Sequence, residues 1–322
     1  MVECVGKGVG MIQLFKSFGR EVRAVDELSE GTWVEVTSPT AEEVTRVAKR
    51  LGIAQDDMLA AIDPEEKARI QTEDDYTLIV VDLPAREERH HEQAYNTIPL
   101  GIILTKEYVV TVCSEETSVL GSLHGERAKD VSTDNRLAFV YRIMLRIALR
   151  YQQVLANIDR TRMAFEERVE KIEDPRDLIR LHELESTLVY FSTSLRGNAT
   201  VLDRLTRYGH LHQPEDRDIL DDAIVENQQA IEMAQIYREI IDGTRELVST
   251  LMDSRLNNVM ERLTSITIIL SIPTVISGAY GMNVSGTWMP FANTPHGFAI
   301  VNMLTIAVCL ISAIWLKSRK LL

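Results

Sequence analysis

The sequence predicts a chain in two parts: an α+β domain extended by long helices, and a C-terminal hairpin of two membrane-spanning helices. Short β-like runs alternate with helical segments over residues 1–130, and longer helical patterns follow over residues 131–262. Residues 263–316 contain no Asp, Glu, Lys or Arg. Because helices of soluble proteins rarely run so far without a charge, a membrane hairpin is preferred over a buried helical hairpin.

The N-terminal domain is predicted from runs typical of strands and from helix caps. Five runs are rich in β-branched and aromatic residues: Met11–Phe15, Trp33–Thr37, Tyr76–Leu83, Ile98–Leu104 and Tyr108–Cys113. Lys106–Glu107 joins the last two as a hairpin turn. Thr40 and Glu43 have the pattern of a capping box, at the start of a helix that ends near Gly52. A second short helix is expected over Asp56–Ile62.

Residues 131–213 are predicted to form two long antiparallel helices. Apolar positions recur at helical spacing over Arg136–Glu173 and again over Arg176–Tyr208, and Pro175 separates the two segments. Their alternating charges are typical of solvated helix surfaces, so we expect this pair to have no chemistry of its own.

A third and longer helix is expected to lead into the membrane. Residues 214–262 form a stalk, and no proline occurs from Glu215 to Leu270, a length of about 84 Å if the helix is straight. Such a helix needs partners along its length, and two membrane helices cannot enclose a channel. Both points predict a homo-oligomer in which long helices form a closed ring.

Residues 263–322 make up the predicted membrane domain. The apolar stretches 263–280 and 298–316 are long enough to cross a hydrocarbon core of about 30 Å, and residues 281–297 form the loop between them. Lys and Arg residues flank both stretches on the side away from that loop, and the tail 317–322 is basic. The positive-inside rule therefore places both termini in the cytoplasm and the loop outside.

Bulk composition limits the classes of protein that fit. The chain has 322 residues and a formal net charge of −13. Nucleic-acid-binding domains carry basic patches that neutralise phosphates, so we expect no nucleic-acid partner. Its three cysteines are scattered without a CxxC pair, so neither a disulfide framework nor a zinc knuckle is expected. The sequence contains no GxxxxGKS/T phosphate loop, and we expect no organic cofactor.

One face of the helix that enters the membrane carries small and polar residues at alternating spacings of three and four. The members of this polar stripe are Asn257, Met260, Thr264, Thr267, Ser271, Thr274 and Gly278. A polar seam within the membrane must face protein or water rather than lipid. Two interpretations stay open at this point: close packing of helices through small residues, and the lining of a pore.

The motif Tyr280-Gly281-Met282-Asn283 begins at the last residue of the first apolar stretch, after an unbroken stalk helix and before the second span. In this position the motif resembles the Gly-Met-Asn signature of the CorA family of magnesium channels, and the resemblance extends over nearly the whole chain. It implies a homopentamer in the cell membrane that moves Mg2+, and often Co2+ and Ni2+, down the electrochemical gradient. It also implies that Gly281, Met282 and Asn283 form the selectivity filter.

The chemistry of Mg2+ explains why an amide could select this ion. Mg2+ is small and gives up its water shell reluctantly, so a filter that removed the shell would face a large dehydration cost. A ring of Asn283 side chains can instead form hydrogen bonds with the first-shell waters. Gly281 allows the backbone to turn sharply at the end of the helix.

The resemblance implies further pore-lining residues by their position relative to the motif. Asn257 and Met260 match the cytoplasmic mouth of the pore, and Leu263 matches a hydrophobic constriction, which can close a pore by dewetting. Glu246 matches an acidic ring at the pore entrance, and a solvated stalk residue is an equal interpretation of it. The expected pore-lining set is Asn257, Met260, Leu263, Thr267, Ser271, Thr274, Gly278 and Glu246.

The resemblance also implies that Mg2+ is a regulator as well as the transported ion. Intracellular Mg2+ would bridge carboxylates of neighbouring cytoplasmic domains and hold the ring closed, and repulsion between the carboxylates would open it when Mg2+ falls. Asp222 matches the regulatory aspartate, with Asp221 and Glu226 near enough to contribute. Glu87, expected just after a strand, is the first choice of partner. The rival partners are Glu88 and Asp82.

The sequence departs from the family pattern in the outer loop, where residues 284–290 contain no acidic residue that could attract cations. Three other functions compete with the channel: a zinc or other divalent-cation carrier of the same superfamily, a membrane-tethered sensor or scaffold, and an enzyme. Met282 favours the magnesium branch, and a tether needs neither the polar stripe nor Asn283. The clusters His90-His91-Glu92 and His210–His212 lack the ligand spacing of a metal site.

Overall fold

The structure, a computed structural model, describes residues 11–19, 21–89, 92–125, 128, 131–167, 175–207, 214–283, 289–291 and 294–319. The strands are β1 (Met11–Phe18), β2 (Glu21–Ala24), β3 (Trp33–Thr37), β4 (Arg69–Thr72), β5 (Tyr76–Arg89), β6 (Glu92–Thr105) and β7 (Val109–Cys113). Short helices α1 (Ala41–Leu51) and α2 (Gln55–Ala60) lie between β3 and β4. The long helices that follow are α3 (Arg136–Glu166), α4 (Pro175–Thr206), α5 (Pro214–Tyr280) and α6 (Gly297–Ser318).

The strands form one mixed sheet, seven-stranded over the described residues, in the order β2-β1-β3-β7-β6-β5-β4. β3 and β7 pair in parallel, with Trp33 opposite Val109, and the other neighbouring strands pair antiparallel. The long hairpin of β5 and β6 pairs along the whole of both strands. Side chains alternate between the two faces of a sheet, so each face needs its own cover.

α1 and α2 cover one face of this sheet, and α3 and α4 pack against the other. Under α1 and α2 the core consists of aliphatic side chains such as Val36 and Val112, both fully buried. On the opposite face the Trp33 indole packs against the Phe139 ring of α3, with ring centroids 5.1 Å apart. The Trp33 Nε1 also donates to Thr111 Oγ1 at 2.9 Å, so its one polar group is satisfied inside the core.

Capping residues determine where the helices of this domain begin. The Thr40 Oγ1 accepts from the Glu43 N–H at 3.3 Å, and the Glu43 carboxylate accepts from the Thr40 N–H at 2.8 Å, which completes the capping box of α1. The Asn135 side chain caps α3 and also donates from Nδ2 to the Asp216 carboxylate at 2.8–2.9 Å. This second contact connects the first turn of α3 to the first turn of α5.

The chain divides into two compact units, residues 1–245 and 246–322. The first unit contains the sheet, α1 to α4 and the N-terminal part of α5. The second contains the rest of α5 together with α6. Both α5 and α6 are long and apolar enough, by length and composition, to cross a membrane. α5 is a single helix of 67 residues that contains Pro273.

The predicted fold class is confirmed, and the differences concern strands and the end of one helix. β2 and β4 were not predicted, because strands of four residues with frequent polar positions give no β-like run. β5 continues to Arg89, so Glu87 lies within a strand and the expectation that it follows one was wrong. The predicted helix over Arg136–Glu173 ends at Glu166, before residues 168–174. Residues 168–174, 208–213 and 284–288 lie outside the described part of the chain.

Candidate functional site

The polar stripe lies on the surface of α5 in the second unit. All of its members, from Asn257 to Gly278, are exposed, and Met260 retains 53% of its accessible surface. Leu263, beside the stripe, is 57% exposed, and Glu246 on the same helix is also exposed. A single chain therefore leaves the whole stripe without a cover.

The hydroxyl groups of the stripe share one arrangement, in which each donates to a backbone carbonyl three or four residues earlier. The bonds run from Thr264 to Met260 (2.8 Å), Thr267 to Leu263 (2.8 Å), Ser271 to Ile268 (2.8 Å) and Thr274 to Leu270 (3.0 Å). These bonds satisfy the hydroxyl protons in a low-dielectric environment. The oxygen lone pairs stay available to accept hydrogen bonds from water, including the waters around a cation.

α6 packs against a different face of α5. Ser265 and Thr305 are only 3% and 8% exposed, and the Cys309 Sγ lies 3.9 Å from the Ile269 carbonyl oxygen. At about 100° per residue, Ser265 and Ile269 lie on the far side of α5 from Thr267 and the rest of the polar stripe. α6 of the same chain therefore cannot cover the stripe, which must face another protein surface or water.

The signature follows the end of α5 in a tight turn. The Gly281 N–H donates to the Ser277 carbonyl oxygen at 2.9 Å, and a β-carbon on Gly281 would lie 3.3 Å from that same oxygen. This distance is short for a carbon atom, so glycine suits the turn. Asn283 is exposed two residues further on, beyond Gly278 at the C-terminal end of the polar stripe.

Contacts within the second unit connect the signature to the loop that follows it. The Tyr280 hydroxyl donates to the Pro290 carbonyl oxygen at 2.7 Å. Where the chain enters α6, a β-carbon on Gly297 would collide with the Phe291 carbonyl oxygen, so a larger residue would not fit there. The expected departure from the family pattern concerns residues 284–290, most of which lie outside the described residues.

The acidic candidates on α5 differ in what they contact. Asp221 and Asp222 are exposed near the start of the helix. The Glu226 carboxylate instead accepts from the Gln152 side chain of α3 at 2.6 Å, and the Gln152 amide also donates to the Glu226 carbonyl oxygen at 2.9 Å. Asp221 and Asp222 are thus the members of this group whose side chains are exposed in the single chain.

The candidates on β5 are less accessible. Glu87 is half-buried, and the side chain of Glu88 lies outside the described residues. Asp82 is half-buried against α4, where burial raises its pKa despite a hydrogen bond from Ser194. Within the described residues of one chain, no three His, Cys, Asp or Glu side chains are placed to hold one metal ion. A regulatory site between subunits stays a prediction, because it needs carboxylates from two copies.

Sequence reasoning missed two contacts of the second unit. Tyr280 belongs to the recognised motif, but nothing local in the sequence indicates that its hydroxyl reaches Pro290. The approach of Cys309 to Ile269 depends on the alignment of α6 along α5, which the sequence does not encode locally. The only visible signal near it is Pro273, since a proline inside an apolar span removes one backbone donor.

Known proteins resemble this chain along most of its length. A family model described as CorA-like Mg2+ transporter protein matches residues 29–318. The cobalt/magnesium transport protein CorA of Methanocaldococcus jannaschii is 30% identical over 288 residues, which cover 87% of this chain and 87% of that protein. The protein of the same name from Thermotoga maritima is 24% identical over 302 residues, which cover 91% of this chain and 84% of that protein.

Solved structures show the same architecture. The complete structure of the CorA magnesium transporter from M. jannaschii matches with a TM-score of 0.81 at 26% identity and covers 97% of this chain and 98% of that one. The soluble domain of the same transporter matches at 25% identity with a TM-score of 0.65, covering 75% and 97%. The full-length CmaX protein, at 21% identity and a TM-score of 0.69, covers 98% and 99% and shows likeness of fold alone.

Proposed function

The chain belongs to the CorA family of Mg2+ and Co2+ transporters, and on that premise we propose that it is a passive channel for Mg2+ influx. The observation that carries this proposal is the polar stripe of α5, which is exposed along its whole length and leads to the signature Gly281-Met282-Asn283. Copies of the chain that turn their stripes toward one axis enclose a path lined by oxygen atoms. Such a path needs water inside it, because lipid cannot solvate the stripe.

Asn283 is proposed as the selective element of this path. Mg2+ keeps its inner waters, and those waters donate hydrogen bonds outward. The amide oxygens of a ring of Asn283 side chains accept these bonds without removing the water shell. Below the ring, the stripe hydroxyls offer further acceptors, since their own protons are bonded to helix carbonyls. A ring of Leu263 side chains is the proposed hydrophobic constriction, which stops ion flux when water leaves it.

The membrane potential is sufficient to drive the ion inward. A potential of 100 mV corresponds to about 2.3 kcal/mol for each elementary charge, or about 4.6 kcal/mol for a dication. This energy supports a concentration ratio of about 10³. Influx therefore needs no hydrolysis of a nucleotide, in keeping with a sequence that has no phosphate loop.

The proposed assembly is a homopentamer in the cell membrane, with both termini in the cytoplasm. The exposed stripe supports self-association, and the basic residues after α6 support the orientation. Regulation is proposed to act through intracellular Mg2+ held between cytoplasmic units. Asp222 and Asp221 are the favoured ligands because they are exposed, and Glu87 of a neighbouring copy is the favoured partner.

The test is ion flux into proteoliposomes loaded with a fluorescent Mg2+ indicator. We expect wild-type protein to take up Mg2+ when a negative-inside potential is applied, and Asn283→Ala to reduce that uptake to background. The matched control is Asn302→Ala. Its amide lies in the same unit but donates to the Phe298 carbonyl oxygen of its own helix at 2.9 Å, so uptake should persist.

The outcomes separate the competing functions. Equal loss in both asparagine variants would show damage to the fold rather than to a filter. A correctly assembled wild-type oligomer that passes no Mg2+ would contradict the magnesium channel. Uptake of Zn2+ coupled to a pH gradient would then indicate a zinc carrier, and absence of all flux would indicate a tethered sensor or scaffold.

A further inference from the structure

Pro273 interrupts the hydrogen bonds of α5 inside the membrane-spanning part of the helix. In an α-helix each carbonyl accepts from the N–H four residues later, so the Ile269 carbonyl would accept from residue 273. Proline has no N–H, and this acceptor loses its normal partner. Lipid offers no replacement donor, and an unsatisfied backbone group in the hydrocarbon region costs several kcal/mol.

The neighbouring hydroxyl groups of α5 do not supply the missing donor. Ser271 donates to the Ile268 carbonyl oxygen at 2.8 Å, and Thr274 donates to the Leu270 carbonyl oxygen at 3.0 Å. Both side chains are therefore committed to other acceptors, although they are close to Pro273 in sequence. The side-chain donor that reaches the Ile269 carbonyl belongs to another element.

That donor is the thiol of Cys309 on α6. Its Sγ lies 3.9 Å from the Ile269 carbonyl oxygen, a separation at which a thiol forms a weak hydrogen bond. Cys309 is half-buried in the contact between the two helices, whereas the side chains around it on α6, such as Leu310, are largely exposed. The thiol is thus directed toward α5 at the carbonyl that Pro273 leaves unpaired.

We propose that Cys309 is a positioning residue for the filter. Its thiol replaces the donor lost at Pro273 and holds α6 in one alignment along α5. The part of α5 above the proline, which carries Thr274, Gly278 and the signature, then keeps a fixed direction relative to the part below. The effect on transport rests on the proposed channel function, whereas the hydrogen bond itself does not.

The first test reads the hydrogen bond without measuring transport. The infrared S–H stretch moves to lower frequency when a thiol donates, and the band of Cys309 is identified by subtracting the spectrum of Cys309→Ala from that of wild type. In full-length Pro273→Ala protein the alanine N–H takes over the Ile269 carbonyl, so we expect the Cys309 band to move to higher frequency. The matched control is Cys113, a buried thiol 3.7 Å from the Pro99 carbonyl oxygen, whose band should not move.

The second test is a double-mutant cycle on Mg2+ flux per assembled oligomer. We expect Cys309→Ala to change flux by roughly two- to fivefold in the Pro273 background, in line with the size of a weak hydrogen bond. In the Pro273→Ala background the same change should have almost no effect, because the thiol is no longer needed. Cys309→Ser, which retains a donor, should lie closer to wild type than Cys309→Ala.

The two tests distinguish failure of this inference from failure of the proposed function. An S–H band that stays in place in Pro273→Ala, or effects of the two substitutions on flux that simply add, would overturn the role of Cys309. A band that moves as expected in a wild-type protein that conducts no Mg2+ would keep the helix contact and reject the channel.

Discussion

Replacement of Asn198 by alanine should destabilise the first unit more than its size suggests. Asn198 lies on α4 and is completely buried; its Oδ1 accepts from the Asp82 N–H at 2.9 Å and its Nδ2 donates to the Asp82 carbonyl oxygen at 2.7 Å. The pairing of β4 with β5 ends at Val80, so no strand among the described residues lies beside Asp82 on that side. Asn198→Ala leaves one donor and one acceptor unpaired. At about 1–3 kcal/mol for each of the two groups, the expected loss is about 2–6 kcal/mol.

The assay is denaturant unfolding of the full-length protein in detergent, with Asn227→Ala as the matched control. Asn227 is also buried, but its Nδ2 makes a single bond, to the Leu195 carbonyl oxygen at 3.0 Å. The Leu195 carbonyl lies inside α4 and keeps its helical hydrogen bond when this side chain is removed. Asn227→Ala therefore leaves no backbone group unpaired and should cost clearly less than Asn198→Ala. Equal losses for Asn198→Ala and Asn227→Ala would refute the argument that two stranded groups at Asp82 determine the effect.

Three further substitutions test other parts of the chain. Burial, together with a neighbouring carboxylate, raises the pKa of Glu35 from 4.5 to about 7, so the folded state holds this proton more tightly than the unfolded chain. Stability should fall by about 3 kcal/mol between pH 4.5 and pH 7, and Glu35→Gln should remove that fall in thermal unfolding measured at pH 5 and pH 8. Gly297→Ala brings a β-carbon into collision with the Phe291 carbonyl oxygen and should lower the unfolding temperature, whereas Gly121→Ala, with open space around its β-carbon, should not. Tyr280→Phe removes the 2.7 Å hydrogen bond to the outer loop and should reduce Mg2+ flux while the oligomer stays intact on size-exclusion chromatography; unchanged flux would show that this bond does not position the signature.

The fold could be predicted from sequence wherever a local signal decides the structure. The capping box of Thr40 and Glu43 acts within four residues, and the central strands are continuous apolar runs. β2 and β4 were not predicted because their strand character comes from pairing with β1 and β5 rather than from their own residues. The extension of β5 was missed for the same reason, since Pro84 and a charged run from Arg86 follow Leu83, and these residues pair because β6 runs beside them.

In the candidate site, too, features with a local signal were predicted, and a contact between distant residues was not. The polar stripe is a helical repeat, so it was visible in sequence, and its role as a pore lining stays a prediction. The role of Asn283 came from resemblance to a family motif, because an asparagine after a helix is by itself an ordinary turn residue. The contact between Cys309 and Ile269 joins residues forty positions apart and depends on how two helices align. No local pattern contains that information.

The edges of the sheet affect how this chain can associate. Over the part of the chain that the structure describes, β2 and β4 have four residues each, and beyond Val80 the outer side of β5 meets Asn198 at Asp82 rather than a further strand. An open strand edge is a template on which a second chain can add a strand, and uncontrolled growth of this kind leads to aggregates. Edges this short offer a second copy little backbone to pair with. In the proposed oligomer, copies of the chain therefore associate through helices rather than through sheet edges. Short edges also limit the strand addition that leads to aggregates.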